Sequence, residues 1–210
     1  GSVIDEPWYL AQSLEGYLGF VRASQVKRVD GLRLPDGYLS EPTTVTVAGA
    51  DIRVPAGCYL WKAGDGYVVP LDPPVPLPAK ARYVESGTSR LTETQILEIA
   101  RPLMETRYVW GGVTQNGIDC SGFMQFIHKN LGVYLPRDAE EQSTLGLIVG
   151  WGSDAVKRTQ PGDLIFFMDR TGRISHVAMS LGGNRIIHSS GRGNAVGVAG
   201  PRAEAGDSRE

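Results

Sequence analysis

The 210-residue chain has little cysteine and little histidine, two of the one and three of the other. With only Cys58 and Cys120, a disulfide framework cannot organise the fold. A bond between them would also silence either thiol as a nucleophile. No run of about 18 apolar residues occurs, so no stretch reads as a membrane-spanning helix. Neither sign of charge dominates. The net charge is −2 and the basic residues are scattered, which offers nucleic acid no patch to bind. A signal peptide is missing too. Gly1–Ser2 has the look of a cloning remnant, and a natural leader removed ahead of it is expected. The length allows one large or two small domains.

What stands out is the stretch from Tyr108 to Gly122, Tyr-Val-Trp-Gly-Gly-Val-Thr-Gln-Asn-Gly-Ile-Asp-Cys-Ser-Gly. Glycines and turn formers lead into Asp119, Cys120 and Ser121. A helical pattern then begins, with Phe123, Phe126, Ile127 and Leu131 on one face and Gly132 as the stop. Cys120 falls in the first turn, where unsatisfied amides and the helix dipole favour an anion. A cysteine so placed is expected to lose its proton readily, and the thiolate is the nucleophile.

A thiolate needs a base, and the base needs an orienting partner. His176 and His188 flank a turn at Gly182, Gly183 and Asn184. In an unbulged hairpin their equal parity puts both rings on one face of a sheet. His176 then reads as the base and His188 as the group that holds it. Plainer readings stand beside these. A cysteine starting a buried helix is often a small core residue, and a strand histidine is often a hydrogen-bonded structural one. One cysteine and two histidines could also bind zinc, but no fourth ligand and no C-x-x-C accompanies them. No metal or cofactor is therefore assigned. His128 lies off the apolar stripe and reads as a solvated surface residue.

Tyr108–Phe123, Leu135–Asp138, Gly162–Phe167, Ile174–Ala178 and Ile187–Gly191 together resemble the NlpC-type cell-wall cysteine peptidases. These are papain-like enzymes of bacterial peptidoglycan. The resemblance implies an α+β fold, with a helix carrying the cysteine packed on an antiparallel sheet carrying the histidines. It implies cleavage of the peptide bond between γ-D-glutamate and the diamino acid of the peptidoglycan stem. Cys120, His176 and His188 would be the catalytic triad, and the Tyr108 hydroxyl would help stabilise the oxyanion. Asp119, Ser121, Asp138 and Tyr17 would bind substrate, with Asp138 and Tyr17 at the free amine of the stem's L-alanine. The implied partners are stem peptides or muropeptides, and a monomer is expected. The implied location is the cell envelope, or alternatively the cytosol acting on recycled peptides. Two other functions stay open: an N-acetylmuramoyl-L-alanine amidase and a catalytically dead wall-binding module.

Upstream, residues 1–29 hold two short apolar runs split by a turn, which predict two strands. They resemble the C-terminal half of a bacterial SH3-like barrel. Residues 30–86 carry the runs Val45–Ala48, Ile52–Val54, Cys58–Trp61 and Tyr67–Val69, spaced by turn formers as in a small barrel. In this company they look like a second SH3-like domain, with Cys58 as a strand residue. Four prolines between Asp72 and Pro78 brace the connection onward. Residues 87–210 hold the peptidase domain. There Thr92 to Gln95 fits a capping box, followed by a helix facing inward with Ile96, Ile99, Ala100 and Leu103. Pro102 should shorten that helix. Asp138–Gln142 reads as a helix start and Leu164–Met168 as a buried strand. Gly191–Glu210 has almost nothing to bury and is expected to be partly disordered.

Overall fold

A computed structural model describes residues 6–27, 34–71, 73–81, 83–85 and 91–200. The chain divides into two units, Gly1–Leu34 and Pro35–Glu210.

The first unit is a hairpin of β1 (Trp8–Gln12) and β2 (Leu18–Arg22), followed by a 3₁₀ turn over Ala23–Gln25. Leu10 pairs with Phe20, and Gly16, at φ 85°, closes the loop between the strands. The two predicted strands are present.

The second unit begins with seven short strands: β3 (Gly37–Leu39), β4 (Thr43–Val47), β5 (Ala50–Val54), β6 (Tyr59–Ala63), β7 (Gly66–Val69), β8 (Val75–Pro76) and β9 (Tyr83–Glu85). Five of them form a sheet in the order β8-β7-β6-β3-β9, and β4 and β5 make a separate hairpin. Leu39, Val45, Val54, Leu60, Tyr67 and Val69 fill the space between. Cys58 lies just ahead of β6 rather than within it, because Ala56 and Gly57 form a turn there.

The remaining elements position the candidate site. They are α1 (Glu93–Ala100), β10 (Val113–Thr114), β11 (Gly117–Ile118), α2 (Cys120–Lys129), α3 (Ala139–Gln142), α4 (Ser153–Val156), β12 (Leu164–Met168), β13 (Ile174–Gly182), β14 (Arg185–Ser190) and β15 (Ala195–Ala199). Thr92 caps α1 with the predicted reciprocal bonds to Gln95. The helix ends at Ala100 and tightens into a 3₁₀ turn through Pro102, whose ring cannot sit in a helix interior. Strands β12 to β15 form an antiparallel meander in chain order. On one side of it Phe123, Met124 and Ile127 of α2 pack with Val177, Met179, Ile187 and Val196. On the other side Ile165, Ala178 and Ile186 are covered by Val156, Phe167 and Ala199. Among the described residues, no helix is long and apolar enough to cross a membrane.

Strand β15 corrects the expectation that Gly191–Glu210 has almost nothing to bury. It pairs along all of its length with β14. Its other edge is bound by the incoming chain: Glu105 donates to the Val196 carbonyl at 3.1 Å, and Val196 donates back to Thr106 at 3.0 Å. Val196 is buried, so the segment does have something to bury. Residues 201–210 lie outside the described residues.

Candidate active site

Helix α2 begins at Cys120 because Asp119 caps it. One Asp119 oxygen accepts from the Gly122 amide at 2.8 Å and the other from the Gly111 amide at 2.8 Å. Both oxygens also accept from the Arg137 guanidinium, at 3.0 and 2.5 Å. Arg137 donates to the Ser121 hydroxyl at 2.9 Å as well, and that hydroxyl lies 3.3 Å from Asp119. One carboxylate thus ties the preceding loop, the helix start and the following loop together. The glycines follow from the same closeness. A Cβ on Gly112 would lie 2.4 Å from the Gly117 carbonyl, and one on Gly122 would lie 2.6 Å from the Gly112 carbonyl. The first turn of α2 therefore packs directly on backbone, which only glycine permits.

The histidines come from β13 and β14. The turn between them is two residues, Gly183 and Asn184, both at positive φ, as a primed hairpin turn requires. Its closing pair is Gly182 with Arg185. Continued without a break, that register would put His176 and His188 on opposite faces. The ladder instead slips by one residue, so Ser180 pairs with Ile186 and Met179 with Ile187. This bulge restores the equal-parity arrangement that an unbulged three-residue loop would have given. The paired ladder stops at Met179, and the rings meet beyond it, with His176 Nε2 3.0 Å from His188 Nδ1. His188 is buried, His176 is half-buried, and Phe167 packs on the His176 ring at 5.5 Å.

Cys120 is buried. Burial pushes its pKa up, and the nearby Asp119 charge adds to this. The amides of Val177, Ser121 and Cys120 pull the other way without prevailing. This corrects the expectation of a readily lost proton, since desolvation outweighs the helix start. Tyr108 is brought in beside β15 by its backbone N–H, which donates to the Asn194 carbonyl at 3.1 Å. Its ring lies over Gly191, and its hydroxyl senses the charges of Cys120 and Asp119. Burial first, then those two charges, push its pKa up to about 12, so it remains a hydrogen-bond donor.

Asp138 is exposed and makes no side-chain cap bond to α3. Ser121 is buried, and Tyr17 is exposed on the first unit. His128 is half-buried rather than solvated. Its Nδ1 lies 2.9 Å from the Met124 carbonyl, and burial lowers its pKa. Two residues carry more of this geometry than the sequence indicated. Arg137 holds Asp119. Gln142, almost fully buried, donates to the carbonyls of Ser121 and Pro136 at 3.1 and 2.8 Å. Both stand in the Leu135–Gln142 segment, where a proline-led turn and a helix start were visible but no contact was. Among the described residues, no three His, Cys, Asp or Glu side chains are grouped to hold a metal ion.

The helix-borne cysteine, the histidine pair and the glycine-rich lead-in all fall within residues 105–206, the stretch that matches the NlpC/P60 family. Those residues form an NlpC/P60 domain. Over 141 residues the chain is 31% identical to a γ-D-glutamyl-L-lysine dipeptidyl-peptidase of Bacillus cereus, covering 66% of this chain and 37% of the relative. Over 109 residues it is 36% identical to the protein of the same name in Bacillus subtilis, covering 51% and 35%. The chain thus spans little more than a third of the length of these curated relatives. A crystal structure of an NlpC/P60 family protein from Bacillus cereus superposes with a TM-score of 0.71 at 24% identity, covering 95% of this chain and 73% of that one. That likeness is one of fold, papain-like and mixed in helix and sheet. The NlpC/P60 domain includes Tyr108, Cys120, Arg137, His176 and His188.

Proposed function

We propose that the NlpC/P60 domain is a cysteine endopeptidase that cuts the γ-D-glutamyl–diamino acid bond of peptidoglycan stem peptides. The observation that carries this reading is the 3.0 Å contact between His176 and His188. Cys120 attacks the γ-carbonyl of D-glutamate. Because its pKa is raised, the thiol proton passes to His176 as the sulfur attacks, and His176 then delivers it to the leaving amine. His188 holds the His176 ring. The Tyr108 hydroxyl and amides at the α2 start stabilise the oxyanion, and one such donor is typically worth ~3 kcal/mol. Water releases the acyl group from the sulfur.

Asp138, exposed and without a cap bond to α3, is assigned to the free amine of the L-alanine. Asp119 and Ser121 act by holding the helix start and Arg137 in place. Residues 30–86 are proposed as an SH3-like accessory domain, working as a monomer with the peptidase at the cell envelope. The names of the Bacillus relatives support the bond chosen. Mass spectrometry of digested muropeptides tests it. Free L-Ala-D-Glu supports the endopeptidase, whereas an intact stem released from the lactyl group would replace it with an amidase. Retained cleavage by a Cys120→Ala protein would remove the mechanism.

A further inference from the structure

Trp110 is 81% exposed, although it stands two residues from Tyr108 in the loop that leads to Cys120. A large aromatic is thus left in water on the turn that leads to Cys120. The loop around it is not loose. Gly112 donates to the Val109 carbonyl at 2.9 Å, which makes Trp110 and Gly111 the central pair of a tight turn. Gly111 has φ 78°, as the second central residue of a type II turn requires. The Gly111 amide is held by Asp119 at 2.8 Å, and the Asp119 amide by the Gly112 carbonyl at 3.1 Å. The residue that caps the Cys120 helix therefore also fixes the turn that presents the indole. Trp110 is aimed outward by the same bonds that place the sulfur.

We infer that the Trp110 indole is a platform for a substrate ammonium group. The face of an indole carries negative potential, and a cation over it gains without a buried counter-charge. Arg137, which holds the same Asp119, is engaged by that carboxylate and by Ser121. This inference rests on the reading of the site as a stem-peptide hydrolase, because such a peptide carries two ammonium groups near the cut. The N-terminal α-amine is assigned above to Asp138, so the ammonium left for the indole is the side-chain amine of the diamino acid. Trp110 would read whether that amine is free or acylated, and a cross-linked stem has its side-chain amine acylated.

The test is calorimetric titration of Cys120→Ala protein with L-Ala-γ-D-Glu-L-Lys and with its α-acetyl, ε-acetyl and doubly acetylated forms. Adding Trp110→Ala should weaken binding of the unmodified peptide about fivefold. Trp110→Phe should recover part of the loss, and Trp110→Leu should recover none. ε-Acetylation should erase the difference between Trp110 and Ala, whereas α-acetylation should leave it; the reverse pattern overturns the inference. An equal Trp110 effect on the doubly acetylated peptide, or no effect on any, overturns the inference. Cleavage by protein that retains Cys120 is read separately. Its absence would sink the hydrolase reading while leaving the binding result to stand.

Discussion

Two antiparallel hairpins in this molecule are built from similar sequence and end in opposite states. In β1–β2 the register puts Trp8, Leu10, Leu18 and Phe20 on one face, yet all four are more than half exposed. In β13–β14, Val177, Met179 and Ile187 are wholly buried under α2, and Ala178 and Ile186 are wholly buried on the other face. Alternating apolar residues and a glycine turn specify pairing in both. They do not specify burial, which depends on what covers the sheet. A two-stranded hairpin alone is marginal in water. The contrast bears on function, because a histidine pair works as a base and its holder only where the rings are fixed. Both faces of β13–β14 are packed, so the bulge at Leu181 cannot relax and the rings stay on one side.

The predictions that press hardest on this contrast lie at the packed end. Cys120→Ala should lower stem-peptide cleavage by at least about 10³-fold, measured by product release, with secondary structure unchanged by circular dichroism. Asp119→Ala should destabilise the domain by about 3–5 kcal/mol in urea unfolding. It leaves the Arg137 guanidinium, only 14% exposed, without its carboxylate. Ile187→Ala removes a fully buried side chain between β13 and α2 and should cost about 2–5 kcal/mol by the same measurement. A cost near zero would mean that the packed hairpin is no better covered than the exposed one. Iodoacetamide modification of Cys120 should rise with pH through a midpoint above the ordinary thiol value of about 8.5, because burial raises its pKa. Modification with a midpoint near neutrality would show that the helix start, not burial, governs the thiol.

Much of the packed region was legible in the sequence because its signals are local. The α2 stripe of Phe123, Phe126 and Ile127, the cap at Thr92 and the stop at Pro102 each depend on residues a few positions apart. The meeting of His176 with His188 was legible only through parity, and the true loop is one residue shorter, with a bulge making up the difference. What escaped notice was contact at a distance. Arg137 reaches Asp119 across 18 positions and Gln142 reaches Ser121 across 21, and neither pairing leaves a periodic trace. Strand β15 was missed because Gly197 and two alanines dilute its alternation, while its edges are satisfied by β14 and by residues 105–106. The Cys120 pKa was misjudged for a related reason: the helix start is visible in sequence, whereas the depth of burial over it is set by the whole sheet.

The smallest expected effect belongs to the other hairpin. Phe20→Ser removes an aromatic that is 73% exposed and pairs with Leu10, itself 65% exposed. Exposed substitutions away from caps and networks stay within about 0.5 kcal/mol, so urea unfolding should scarcely shift. Stem-peptide cleavage should be unchanged as well. The value of this variant lies in its pairing with Ile187→Ala. Both remove an apolar side chain from a strand of an antiparallel hairpin, so any difference in cost measures cover rather than strand propensity. A loss as large as that of Ile187→Ala would show that the Trp8, Leu10, Leu18 and Phe20 face is buried in solution. The two hairpins would then differ in what covers them, not in whether they are covered.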